Sequence, residues 1–226
     1  MKQHSLYQIE TPIQFYPRGE EKLVEEHFTY QTKHITFSIH YRHKLVSKER
    51  LKEFLVSDKD SLCVGRIPCS NYRSCWSCPP YAPSFDRYTQ NYNYGLVYCF
   101  WTDWNFKINS TNPYFKLLNA NRTLSPLAWH YGQKLERILG GKDAIDGRCP
   151  ICRTCEKVHN RPCRYPKQRR SSMEAIGLDA TLISQEILNH KIEWYRKVNG
   201  KIIEPRYLTV IHTLFTNSLQ PKEMIK

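Results

Sequence analysis

The stretch CPICRTCEKVHNRPC, residues 149–163, sets Cys149, Cys152, Cys155 and Cys163 in a C-x2-C-x2-C-x7-C array. Ordinary core cysteines would not require that spacing. Three thiols at successive C-x2-C steps instead wrap a backbone loop around one face of a shared group, as bacterial ferredoxins wrap a [4Fe-4S] cube. There the fourth cysteine comes from farther along and often sits beside proline. Here Pro162 precedes Cys163, and Pro150 follows Cys149. Zinc sites usually take cysteines in two separated pairs. The spacing therefore favours iron–sulfur and leaves zinc as the alternative.

A second group, Cys63, Cys69, Cys75 and Cys78, has the looser spacing C-x5-C-x5-C-x2-C. Pro79-Pro80 stiffens its exit and removes backbone donors. Either this group holds a cluster of its own, or the two groups exchange a ligand as two-cluster ferredoxins do. A structural zinc knuckle is the alternative. The candidate ligands of one or two [4Fe-4S] clusters are thus these eight cysteines. Cys99 lies in an apolar run and reads as a buried free thiol.

An odd total of 9 cysteines argues against a disulfide framework and for metal or redox chemistry in a reducing compartment. The opening MKQHSLYQIETPIQFY lacks the compact apolar stretch of a secretory signal. The longest apolar run, Leu96 to Trp101, is only strand-sized, so no membrane span is expected. A cytoplasmic protein is the expectation. Lys and Arg exceed Asp and Glu by 34 − 21 = 13, a balance that draws nucleic acids, acidic proteins and anionic surfaces. Eight ligand thiolates with two cluster cores would cancel roughly four of those charges.

Ile35, Phe37, Ile39 and Tyr41 alternate as in a half-buried strand. Ser47 reads as the cap of a short helix with Leu51, Phe54 and Leu55 on one face. YGLVYCFW (94–101) reads as a central strand. Residues 88–122, crowded with Asn and Tyr, suggest a loop-rich excursion. Ser125-Pro126 is expected to open a helix with the stripe Leu127, Tyr131, Leu135 and Ile138, ending at Gly140-Gly141. A last helix is expected from Asp179 to about Leu188. A hairpin turning at Asn199-Gly200 and the strand YLTVIHTLF follow. Strands and helices mix without a regular βαβ alternation, so the expected class is α+β: one domain over 1–226 around one core, with two cysteine-rich metal-binding loops.

CSNYRSCWSCPPY, followed by CPICRTCEKVHNRPCRYPKQRRSSMEAIGLD, resembles the family of predicted metal-binding proteins called domain of unknown function 2284. Cys69, Tyr72, Trp76, Cys78, Pro79 and Pro80 fall on the family's first motif. On the second fall Cys149, Cys152, Cys155, Pro162, Cys163, Arg164, Pro166, Ser172, Met173, Glu174, Gly177 and Asp179. The resemblance covers about 61–188 and implies metal binding, with iron–sulfur as its form, but no defined reaction. Arg73 stands where the family has glycine, and Cys75 lies outside the family pattern.

Lys157, Arg161, Arg164, Lys167, Arg169 and Arg170 crowd the fourth cysteine. The basic loop 157–170 reads as a docking patch for an acidic redox partner or for RNA or DNA, or as a solvated loop offsetting an anionic cluster. Tyr88, Tyr92, Tyr94, Trp101 and Trp104 can stack on bases, though core packing is the commoner use. SSME is expected to form a capping box between Ser171 and Glu174. The histidines show no H-E-x-x-H pair, and His34, His40 and His43 read as strand and loop residues. No phosphate-binding glycine loop and no nucleophile elbow is present. Three readings follow: an iron–sulfur protein in electron transfer or redox support, a zinc-stabilised nucleic-acid-binding module, and a cluster-bearing enzyme with an open iron site.

Overall fold

Leu96 to Trp101 is apolar at every position, and a strand with no polar side must be covered on both faces. In the computed structural model, which describes residues 23–31, 36–58, 60–64, 69–103, 113–194, 196–198 and 201–218, that run is the middle of β3 (Tyr94–Asp103). Around it lie β1 (Val24–Gln31), β2 (Thr36–Ser47), β4 (Lys142–Ala144) and β7 (Tyr207–Thr216). They form one five-stranded sheet in the order β1-β2-β3-β7-β4, every pair antiparallel. A separate pair, β5 (Arg196–Val198) with β6 (Lys201–Ile203), makes the expected hairpin. Its turn, Asn199-Gly200, lies outside the described residues, as do Ile35, His34 and Trp104. The class is α+β, and no helix among the described residues is long and apolar enough to cross a membrane.

Period-two alternation sorts the side chains into two cores. Ile39 and Tyr41 of β2, Leu96, Tyr98 and Phe100 of β3, and Leu208, Val210 and Leu214 of β7 face α4 (Pro113–Leu139). That helix answers with Leu124, Leu127, Ala128, Tyr131, Leu135 and Leu139, a stripe at helical spacing. On the opposite face, Val97, Cys99, Trp101 and Ile211 pack with Leu51 and with Ile183, Ile187 and Leu188. Cys99 is fully buried there, a small apolar side chain among others.

The helices correct the sequence expectation in two places. Ser125-Pro126 does not open α4: the helix begins at Pro113, and Pro126 lies inside it. The Ser125 hydroxyl donates to Asp146 Oδ2 (2.8 Å) instead of capping. Residues 113–122, expected as part of a loop-rich excursion, are helical. The second correction concerns α1 (Lys48–Lys52), capped by the Ser47 hydroxyl, which accepts from the Arg50 amide. Leu51 and Phe54 are buried, but the helix stops before Leu55, which is exposed and forms a bridge with Leu178. The last helix, α5 (Ala180–Leu188), is as expected: Asp179 accepts from the amides of Thr181 and Leu182, both at 3.0 Å. Two short helices, α2 (Ser61–Val64) and α3 (Phe85–Thr89), flank the first cysteine segment.

Candidate metal centre

Ile145, just past β4, pairs in parallel with Ser172. The Ile145 amide donates to the Ser171 carbonyl (3.0 Å) and the Met173 amide to the Ile145 carbonyl (3.2 Å). Residues 146–171 therefore leave the sheet and return to it at one point, and the C-x2-C-x2-C run lies on this closed loop. Within it, Cys155 starts a short 3-10 turn, Glu156–His159, and Asn160 follows with φ of 53°.

The other segment, 69–82, is a chain of tight turns. The Tyr72 amide donates to the Cys69 carbonyl, that of Cys78 to Cys75, and those of Tyr81 and Ala82 to Cys78. Arg73 has φ of 59°, the left-handed region that favours glycine, and its amide donates to the Pro79 carbonyl. The position where the sequence departs from the family's glycine is thus one where glycine would sit without strain. The Pro79-Pro80 peptide is cis.

The two segments clasp each other. The Cys149 amide donates to the Ser77 hydroxyl (3.2 Å), and the Trp76 indole N–H donates to the Arg161 carbonyl (2.8 Å). Trp76 and Tyr81 meet edge to face, and the Lys157 ammonium lies over both rings at 5.4 and 4.7 Å.

Between them lies a pocket of about 330 Å³, counting the solvent at its mouth, whose wall includes Cys75, Cys149, Cys152, Cys155 and Cys163. The structure thus brings all four cysteines of the C-x2-C-x2-C-x7-C array to one place and adds Cys75 from the looser group. Trp76, Tyr165 and Arg169 also line it, and no carboxylate does so among the described residues. Cys63, Cys69 and Cys78 do not line the pocket. The Cys69 amide donates to the Cys63 carbonyl (2.8 Å), the Cys78 amide donates to the Cys75 carbonyl (3.1 Å), and the Cys75 and Cys78 thiols perturb each other's ionisation. Cys75 thereby connects the two groups. The donor set is soft sulfur, which suits iron–sulfur clusters and zinc. A single zinc ion would draw its sulfurs to about 2.3 Å from the metal. Among the described residues no group of three or more His, Cys, Asp or Glu side chains is arranged to hold a metal ion as it stands.

Local electrostatics separate the thiols. The neighbouring Cys78 thiol brings the Cys75 thiol down against the effect of burial, with Ser74 and Arg148 assisting. Cys78 is in turn pushed up by Cys75 and by burial. Burial, then Cys69, Glu174 and Asp60, push Cys63 up to about 11. The expected capping box is shifted: the Ser172 hydroxyl, not that of Ser171, accepts from the Ala175 amide (3.1 Å), and Glu174–Ile176 is a 3-10 turn. Of the basic loop, Arg164 pairs with the buried Glu156, and Arg170 binds both oxygens of Glu136 at 2.5 and 2.7 Å.

The sequence reading missed a buried charged network beside the loop. His43, Tyr98 and His212 lie in one row across β2, β3 and β7. His212 Nδ1 donates to Asp143 Oδ2 (2.8 Å) and Nε2 to Asp146 Oδ1 (2.9 Å), while the Tyr98 hydroxyl also donates to Asp143 Oδ2 (2.9 Å). Both ring nitrogens facing carboxylates makes His212 an imidazolium. Burial alone would lower its pKa, but Asp143 and Asp146 push it up to about 9. The only sequence signal is a histidine inside the apolar run TVIHTLF. Asp146 begins the cysteine loop and Arg170 lies near its end, so partly buried ion pairs tie the loop to the sheet through His212 and to α4 through Glu136.

Neither the curated proteins nor the solved structures gave a match to the chain. The family model described as predicted metal-binding protein (DUF2284) matches residues 55–210, a span that takes in every cysteine of both groups. On that match, covering more than half of the chain, the protein belongs to the DUF2284 family of predicted metal-binding proteins.

Proposed function

We propose that the protein is an iron–sulfur protein working in electron transfer or in redox support of an enzyme. One observation carries this reading: five thiols line one pocket, three of them from a C-x2-C-x2-C run. A tetrahedral zinc ion takes four ligands. Cys149, Cys152, Cys155 and Cys163 would hold one [4Fe-4S] cluster, and Cys63, Cys69, Cys75 and Cys78 a second. Cys75 stands at the boundary, on the wall of the first site and one turn from Cys78 of the second, whose amide donates to the Cys75 carbonyl. When bound, such clusters supply one-electron redox chemistry. The chain's own residues supply the thiolates and place the cations Arg148 and Arg169 beside them. Nearby positive charge offsets an anionic cluster and raises its potential. Trp76 and Tyr165 line the same pocket and add apolar ring surface beside the sulfurs.

Anaerobically purified protein, expressed with adequate iron, is expected to be brown and to contain iron and acid-labile sulfide. Colourless protein with stoichiometric zinc would overturn the proposal and assign the thiols to a structural zinc site.

A further inference from the structure

Residues 147–173 carry eight Lys or Arg (Arg148, Arg153, Lys157, Arg161, Arg164, Lys167, Arg169 and Arg170) against one acid, Glu156. That acid is buried and paired with Arg164, and Arg170 is occupied by Glu136. Arg148 is exposed and donates to the Arg153 carbonyl (3.1 Å). Among the described residues Arg153, Arg161 and Lys167 are exposed and have no carboxylate partner. The surplus charge is gathered around the thiol-lined pocket. Arg169 lines it, Arg161 holds Trp76 through its carbonyl, and Lys157 covers the Trp76 ring. Two apolar side chains stand exposed within the same cationic loop, Val158 at 59% and Tyr165 at 45%.

Exposed apolar residues set among charges of one sign have the make-up of a transient docking surface, where the charges steer encounter and set orientation. Nucleic acid fits less well. Trp76 and Tyr81 have their rings engaged with each other and with Lys157, which leaves Tyr165 as the one tyrosine or tryptophan of the cysteine loop offered to bases, a short stacking platform. We propose that the face around the pocket mouth, formed by Lys157, Val158, Arg161, Tyr165, Lys167 and Arg169, docks the acidic face of a small electron-carrier protein. The inference rests on the iron–sulfur reading, because it is an electron carrier that has to approach this pocket.

The test compares the full-length, anaerobically purified protein with the double variant Arg161→Glu/Lys167→Glu and with a control, Arg137→Glu/Lys191→Glu, of equal charge change outside the cysteine segments. The probes are an acidic flavodoxin and a short poly-uridine RNA, each titrated at low and at high salt. The proposal expects flavodoxin affinity to fall steeply with salt and to drop about tenfold in the first variant. The control should stay within about twofold of wild type, and iron and sulfide should be unchanged in both variants. Protein with intact iron and sulfide that does not bind flavodoxin, or binds it equally well in both variants, overturns the docking proposal alone. Poly-uridine binding that is lost in the first variant, without flavodoxin binding, assigns the surface to RNA and also overturns it. Protein lacking iron and sulfide overturns the cluster reading, and the electron-carrier partner with it.

Discussion

Replacing His212 with leucine tests whether its charge holds the base of the cysteine loop. His212 is 1% exposed and joins Asp143 to Asp146, so a leucine there leaves two carboxylates facing each other without a cation. Breaking a buried pair in this way costs about 3–5 kcal/mol, a large share of a typical stability of about 5–15 kcal/mol. The pH dependence gives the sharper signature. The folded pKa of about 9 lies above the unfolded value of 6.5, so the charged histidine's contribution is complete below the unfolded value. It is lost as pH rises through the folded one. A shift of that size corresponds to about 3 kcal/mol. Urea denaturation followed by circular dichroism, anaerobically and with reductant, would measure wild type and His212→Leu from about pH 6 to about pH 10. Thiol titrations are common to both proteins and cancel in the difference. The stability gap should be widest near pH 6 and narrow by about 3 kcal/mol toward pH 10. A gap under about 1 kcal/mol at low pH, or one constant across the range, would refute the argument.

A Cβ on Gly132 would collide with Asp143 Oδ2 and come within 2.6 Å of the Tyr98 hydroxyl, so Gly132→Ala should destabilise by about 1–3 kcal/mol. A melting temperature lowered by about 2–4 °C per kcal/mol would record it. Cys152→Ser should lose most of the iron of one cluster, since a hydroxyl is a poor substitute for thiolate on iron, and limited proteolysis should then cut within 149–170. Cys99→Ser should keep its full iron content, because the thiol is sealed in the core away from both groups. Iron loss in Cys99→Ser but not in Cys152→Ser would reverse the division between ligand and core cysteines.

What could be read from the sequence is what local chemistry decides. The all-apolar run of β3, the stripe Leu127, Tyr131 and Leu135, and the Asp179 cap each act over a few residues, and each lies where the pattern places it. The start of α4 was hidden because Pro126 has the residue type of a first helical turn, and the segment before it has a composition that suggests loop. The network around His212 could not be read at all: its two carboxylates lie 69 and 66 residues away in sequence. The same limit applies to the cysteines. Spacing places Cys75 with Cys63, Cys69 and Cys78; what it could not show is that the turn at Arg73 and the clasp through Ser77 and Trp76 also bring Cys75 onto the wall of the pocket that the other group lines.

The bridge between Ile145 and Ser172 bears on the order of assembly. A free chain segment the size of 146–171 would give up about 3 kcal/mol of entropy to bring its ends together. Here strand pairing around β4 and the pair of amides at the bridge have already joined them. An incoming cofactor then has only to order the interior of a tethered loop rather than recruit distant pieces of an unfolded chain. β4 pairs with β7, the last strand of the chain, so this joint closes only after both cysteine segments have been made. The joint predicts that a metal bound on the loop can leave and return without unmaking the sheet.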